Sequence, residues 1–480
     1  MNTPRLRLLS LALLAAGMAQ AQQAQQAPQQ LDKVVVTGQA ASLRSALDKQ
    51  RNATGVVSIV HADGIGQLPD ANAAEALARL PGVSVERDQG EGRFIRVRGL
   101  GPDLNAVSIN GSLAPAAEAD RRAPGLDLLP AGLIRSLEVH KTLLPEQDAQ
   151  ALGGLVAVNT LSAFDLAGPL LALELGANHD ANAGKSRPRA SLVHAQRLGR
   201  FGSAVAISFD ERRFASDNVE TGGAWDGNAL EEFDRRRYEI TRERIAAAFN
   251  LDWREGAQQA YLRGFASRFT DDEARQSHAL AFEDAQTEGQ TGAAESLRSL
   301  KSRREQSRME ALSLGGQWPL AEGLLRAELG ASRASESKPD GIGAAEFVAE
   351  FDEGIGFRDS RGPRLIAPAA VNQAAGYELD KLEFEQGLSR DRARHLKLDL
   401  SQALGETIEM KLGLKLGRRT KTNAEEITAI DAGDLDDAPF AMSGFLLPGR
   451  VDYAFGDFGP GLAAAPLYAL RGGLNLADFR

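Results

Sequence analysis

At 480 residues the chain is longer than one ordinary domain, so two or more units are expected. A formal charge of −10 and a pI near 5.4 argue against a general nucleic-acid binder. With no cysteine in the sequence, disulfide frameworks, cysteine zinc sites and thiol nucleophiles are excluded.

Residues 1–21 read as a cleaved signal peptide, with Arg5 and Arg7 ahead of an apolar run and Ala19-Gln20-Ala21 as the cleavage site. That run is too short to stay in a bilayer as a helix. Residues 22–50 form a flexible leader that opens on the polar stretch QQAQQAPQQ. Within it lies LDKVVVTG, residues 31–38, where the β-branched Val34, Val35 and Val36 precede Thr37 and Gly38. A β-branched triplet on a tether is either a strand seeking a partner's edge or the first strand of its own domain.

Residues 51–165 read as one α/β unit. Asp70 is placed to cap a helix over residues 71–80, and Pro81-Gly82 ends it. Strands are expected at residues 56–60, 83–86, 94–98, 106–109, 137–141 and 155–159, with a helical turn at 130–134. The stretch FIRVRGLGPDLNAVSING, residues 94–111, organises the unit. Ile95 and Val97 point to one face and Arg96 and Arg98 to the other. The apolar face needs a core, and the arginine face needs water or a carboxylate-lined wall.

From about residue 166 to 480 the texture changes to strict alternation. The clearest run sets Ile408, Met410, Leu412, Leu414 and Leu416 against Glu409, Lys411, Gly413 and Lys415. Short turns at 199–202, 254–258, 319–323 and 405–406 alternate with long polar loops at 215–237, 270–300 and 335–390. That asymmetry predicts antiparallel transmembrane β-barrel strands with apolar faces to lipid and polar faces, lysines included, to a lumen. Trp253 and Trp318 fall at the short-turn ends, where an aromatic girdle belongs.

The order of these parts resembles a TonB-dependent outer-membrane receptor. LDKVVVTG looks like a TonB box, and residues 68–111 and 126–160 resemble the plug pattern. The resemblance implies an α/β plug followed by a barrel of about 22 strands. It implies active transport of a scarce nutrient (siderophore, cofactor or oligosaccharide) across the outer membrane, driven through TonB and its inner-membrane energising complex. Val34, Val35, Val36, Thr37 and Gly38 would bind TonB by strand addition. Arg96 and Arg98 would face glutamates on the barrel's inner wall, with water between plug and wall. Apical loops carrying Arg87, Asp88, Asp103, Asn105, Arg121 and Arg122 would touch the imported small ligand. Outer-membrane lipid and lipopolysaccharide are further partners, Arg235, Arg236 and Arg237 being placed to meet lipopolysaccharide phosphates.

About nine strands are expected between Leu170 and Lys421, fewer than half of a plugged barrel, so the chain reads as an N-terminal part of a longer receptor with an incomplete barrel. The alternative is a non-transporting product whose plug acts as a soluble periplasmic binding or interaction domain. No nucleophile–base constellation, metal motif or cofactor fingerprint stands out, so no enzymatic activity, metal or cofactor is expected.

Overall fold

The structure, a computed structural model, describes residues 37–62, 72–405, 408–435 and 440–474. The signal peptide, Val34, Val35, Val36, Asp70 and the last six residues lie outside them. Helix α1 (Thr37–Arg51) leads in, so Thr37 and Gly38 are helical rather than extended. The N-terminal unit then contains β1 (Val57–His61), α2 (Ala73–Leu77), β2 (Val83–Asp88), β3 (Glu91–Val97), β4 (Ala106–Ile109), β5 (Ser112–Leu113), β6 (Ile134–His140) and β7 (Leu155–Thr160). The order β1-β6-β7-β4-β5 is antiparallel except for the β4–β7 pair, and β2–β3 is a separate hairpin.

Local chemistry accounts for these elements. Asn72 caps α2 by accepting from the Glu75 N–H at 3.1 Å, and its own side-chain amide donates to the Gly92 carbonyl. Asn110 and Gly111 both take positive φ, the geometry of a two-residue hairpin turn, and join Ile109 to Ser112. Ile95, Val97, Val107, Ile109, Leu137 and Val139 meet in the core, as the alternation requires. Arg98 departs from it. Its φ of 55° and Gly99's of 78° turn the chain after Val97, so Arg98 lies beyond the strand.

The second part is one large antiparallel sheet. Its strands are β8 (Leu170–Asp180), β9 (Lys185–Leu198), β10 (Phe201–Glu220), β11 (Trp225–Asp226), β12 (Ala229–Glu255), β13 (Gln258–Thr287), β14 (Thr291–Leu320), β15 (Gly323–Arg358), β16 (Arg364–Ile366), β17 (Glu378–Ala403) and β18 (Glu409–Asp431). Nine of them form an up-and-down path from β8 to β18, while β11 and β16 pair on its tall hairpins. The outer edges of β8 and β18 pair with no other described strand, so the sheet is not closed.

The expected long loops at 215–237, 270–300 and 335–390 are mostly strand. Opposite charges supply many of the cross-strand pairs there, beside buried apolar pairs such as Phe233 with Leu280 and Phe347 with Leu379. Asp217 sits opposite Arg237 and Glu273 opposite Arg303, each pair joined by a salt bridge. A hydrophobic period of two cannot reveal such a ladder.

Near the short turns the outward face is apolar and open. Leu171, Leu173 and Leu175 on β8 and Leu412, Leu414 and Leu416 on β18 are all more than half exposed. Trp253 and Trp318 stand at the same end. Farther up, the same face is covered: β14 pairs with β13 without a register shift, so Arg298 and Leu300 share the side of Leu312 and Leu314. There β19 (Leu446–Arg450), β20 (Pro460–Leu462) and α3 (Ala464–Gly473) pack Phe445, Leu462 and Leu467 against Phe347, Leu382 and Phe384. Among the described residues no helix is long and apolar enough to cross a membrane, which says nothing of strands.

Candidate functional site: the seam between the N-terminal unit and the sheet

The inward face of the sheet holds the N-terminal unit, and two different chemistries do the holding. Against β9 to β14 the contact is apolar. Ile95, Val107, Ile109 and Leu137 belong to one continuous cluster with Val193, Ala195, Ala204, Ala206, Ala246, Ala248, Phe265 and Met309. Alanines on the wall let the backbones approach closely. Gly202 goes further: a Cβ there would lie 2.7 Å from the Phe164 ring. A few buried polar bonds punctuate this side. Asn250 donates to the Leu161 carbonyl at 2.7 Å, and the Ser162 hydroxyl donates to Asp252 at 2.7 Å.

The other chemistry is ionic, and its polarity is the reverse of what the RVRG stretch suggested. Arg96 pairs with Glu86 across the β2–β3 hairpin. Arg98 donates to the Gly153 carbonyl at 2.7 and 3.2 Å. Both partners belong to the N-terminal unit, because the expected strand face ends at Val97 and Glu86 offers the nearer carboxylate. The wall supplies the cations instead. Glu91, buried, accepts from Arg212 at 2.8 Å, from Arg242 at 3.1 Å and from Arg244. Burial would raise its carboxyl, but the charges of Arg244 and Arg242 and the hydrogen bonds overcome that and hold it at about 2. Arg242 also binds Asp88 at 2.8 Å and Asp271, and Arg244 donates to the Asp127 carbonyl at 3.1 Å.

The same polarity continues along β17 and β18. Lys397 donates to the Glu146 carbonyl at 2.7 Å, Lys415 binds Asp148 at 2.6 Å, and Lys421 donates to the Glu118 and Arg121 carbonyls. Arg419 and the Ala116 N–H converge on the fully buried Asp391. Glu118 pairs within the plug, with Arg93 at 2.7 Å. Burial, Glu336, Asp127 and Glu305 raise its carboxyl against the pull of Arg93, to about 7.

The apical residues do not converge on one point. Arg87 turns to Glu75, and Asp88 turns to the wall through Arg242. Asp103 accepts from the Arg122 and Ala123 N–H groups and from the Arg121 guanidinium, so these three form a small cluster whose ring neighbour is Phe94. Asn105 is buried and holds the Ile95, Leu100 and Gly101 carbonyls. Arg235 and Arg237 are buried as well: Arg235 donates to the Asp457 carbonyl, Arg236 pairs with Asp234 and Glu220, and Arg237 with Asp217. None of these three is free for a lipid phosphate.

The residues that lock the seam were only half legible. Lys415, alternating with Leu414 and Leu416, signalled a lumen-side cation. Glu91 gave no such signal, since it sits beside Gly90 and Gly92 and reads as a loop charge.

Comparison with known proteins follows the same division. Residues 49–155 match the family model for the TonB-dependent Receptor Plug Domain. No curated protein sequence matches the chain. Among solved structures, the siderophore receptor PiuA from Acinetobacter baumannii aligns at 12% identity over 78% of this chain and 62% of its own, with a TM-score of 0.31. The ferric citrate transporter FecA aligns at 14% identity over 83% and 65%, with a TM-score of 0.30. A ferric enterobactin receptor variant from Pseudomonas aeruginosa aligns at 12% over 78% and 72%, with a TM-score of 0.34. The chain thus spans under two thirds of the length of the first two. It carries a TonB-dependent receptor plug domain at residues 49–155, followed by an open antiparallel sheet of many strands.

Proposed function

We propose that the chain belongs to an outer-membrane importer that takes up a scarce nutrient (a siderophore, a cofactor or an oligosaccharide) with energy delivered through TonB. The observation that carries the reading is the seating of the plug on the inward face of a sheet whose opposite face, near the short turns, is a band of exposed leucines. Further strands would complete the wall, because bare sheet edges are not stable in lipid. The plug would block the lumen, and Val34, Val35, Val36, Thr37 and Gly38 would offer TonB an edge to grip, with Thr37 and Gly38 unwinding from α1. The Asp103, Arg121 and Arg122 cluster would meet the ligand. Lipopolysaccharide and lipid would surround the wall.

In this mechanism a pull on the leader has to break the seam, and the seam has a graded strength. Exposed ion pairs such as Lys415–Asp148 are easily exchanged for water. The buried Glu91 cluster is not. Pulling would therefore free the Lys415 contact on β18 before the Glu91 cluster on β10 and β12. Deleting residues 31–38 should abolish ligand import while leaving the receptor at its usual level in the outer membrane. Unchanged import by that deletion would overturn the reading.

The open edges of β8 and β18 favour a second reading, in which the plug works as a soluble periplasmic interaction domain. Migration in detergent gels separates the two. A closed wall stays folded until boiled, and its mobility shifts on heating.

A further inference from the structure

Between the band of exposed leucines and the covered upper sheet, the outward face of β14 to β18 carries a patch of arginines: Arg308 on β14, Arg333 on β15, Arg390, Arg392 and Arg394 on β17, and Arg418 on β18. All six are exposed. Alternation puts them on the side of Leu312 and Leu314, away from the plug. The ladder places Arg333 directly opposite Arg392, and Arg394 directly opposite Arg418. Like charges in that position destabilise a sheet unless something negative lies across them. Within the patch one carboxylate answers: Glu310 binds Arg333 at 2.7 and 2.9 Å, while on the neighbouring β13 side Arg268 and Arg304 are already paired with Glu243 and Asp272. Arg308 donates to Gln306 at 2.7 Å, and the other four make no ion pair or hydrogen bond among the described residues.

The surface is also shaped. A hollow of about 200 Å³ is lined by Arg308, Arg333, Arg390 and Arg392 with Glu310 and Ser335. Beside it a second hollow of about 570 Å³ runs down over Leu312, Leu314, Leu329, Leu396 and Leu416, and Arg394 and Arg418 stand on its rim. A cationic rim above an apolar trough is complementary to an amphiphile with an anionic head and acyl tails. A soluble anion would fill only the upper part.

We infer that this face binds a phosphorylated glycolipid of the outer leaflet, its phosphates between the arginine pairs and its acyl chains along the leucines. The phosphates neutralise the cross-strand repulsion, and the guanidinium forks match phosphate geometry. The inference rests on the outer-membrane reading and adds to it a defined site at Arg333, Arg392, Arg394 and Arg418.

The test uses the full chain in phosphatidylcholine vesicles doped with diphosphoryl lipid A or with its dephosphorylated form. Replacing Arg333, Arg392 and Arg394 by Gln should lower retention of the phosphorylated lipid by about tenfold or more. The same residues replaced by Lys should keep most of it. Retention of the dephosphorylated lipid should be equal in all three proteins. A second readout has opposite signs. In lipid-free detergent the Gln variant should melt higher than the parent, because repulsion is removed. With diphosphoryl lipid A it should melt lower. Equal retention of both lipids by the parent, unchanged retention in the Gln variant, loss in the Lys variant, or a lower melting point under both conditions would each overturn the site. Because binding is read on purified protein, failure here leaves the import reading standing, and failed import leaves this site standing.

Discussion

The plug meets its wall along two seams that obey different rules. Against β9 to β14 it is joined mainly by alanines, valines and phenylalanines in one apolar cluster, punctuated by buried polar bonds such as those of Asn250 and Asp252. Against β17 and β18 it is joined by lysines and arginines that reach across to plug carbonyls and carboxylates. Apolar packing is insensitive to salt and fails only when surfaces separate. Exposed ion pairs are weak singly, screened by salt and remade easily. In the importer proposed above, the first kind would serve as a hinge and the second as a release edge. The Glu91 cluster belongs to neither kind. It is ionic, but buried, and its arginines stand on β10 and β12, within the first stretch of wall.

The largest effect is expected at that cluster. Glu91→Ala leaves Arg212, Arg242 and Arg244 crowded with their shared carboxylate gone, which should cost about 3–5 kcal/mol. Denaturant unfolding and limited proteolysis of the plug would both read it. A loss below 1 kcal/mol would mean that Asp88 and Asp271 suffice and that Glu91 is no keystone.

Acidity should sharpen the same contrast. The Glu91 carboxyl, held at about 2 against a usual 4.5, contributes stability that is present above pH 4.5 and lost as pH falls toward 2. Glu118 has the opposite sign. Its carboxyl is raised to about 7, so stability falls as pH climbs from about 4.5 through 7, where the unfolded chain is already ionised and the folded one is not. Each arm is worth on the order of 3 kcal/mol. Glu91→Gln should erase the acid arm and Glu118→Gln the neutral arm, each without the other, in melting curves taken across that range.

The apolar seam should respond to bulk, not to pH. Gly202→Val drives a branched side chain into the Phe164 ring and should cost about 1–3 kcal/mol at any ionic strength. If melting of this variant depends on salt, the seam is not apolar in the way drawn.

How much of this was readable beforehand follows from which signals are local. The core of the plug was legible because Ile95, Val97, Val107 and Ile109 alternate, and Asn110-Gly111 is a turn by its own chemistry. The wall was legible where leucines alternate and illegible where charges do, so the tall hairpins passed for loops. The seam's polarity was the deepest miss. Arg96 and Arg98 promised an arginine face, but a positive φ at Arg98 broke the strand, and Glu86 lay closer than any wall residue. Which partner an ionic side chain finds is decided by tertiary distance, and neither charge nor spacing encodes it. Lysines at lumen-side positions of β18 were visible, and they pointed to the true arrangement.

The smallest expected effect lies at the release edge and bears on the contrast as a whole. Lys415 reaches Asp148 across the seam, its side chain about one-third exposed and its partner's half as much. Burial would raise the Asp148 carboxyl, but the Lys415 bond and charge lower it overall. Lys415→Ala should cost only about 0.2–1 kcal/mol, and the cost should shrink as salt is added. Its effect on plug release should be larger than on global stability, since the pair resists local opening of the β18 edge and little else. Hydrogen exchange at residues 144–150 would show it: protection there should fall in Lys415→Ala while β3 and β4 stay as they were. If protection at β3 and β4 falls equally, the two seams are one cooperative unit, and the distinction between hinge and release edge does not hold.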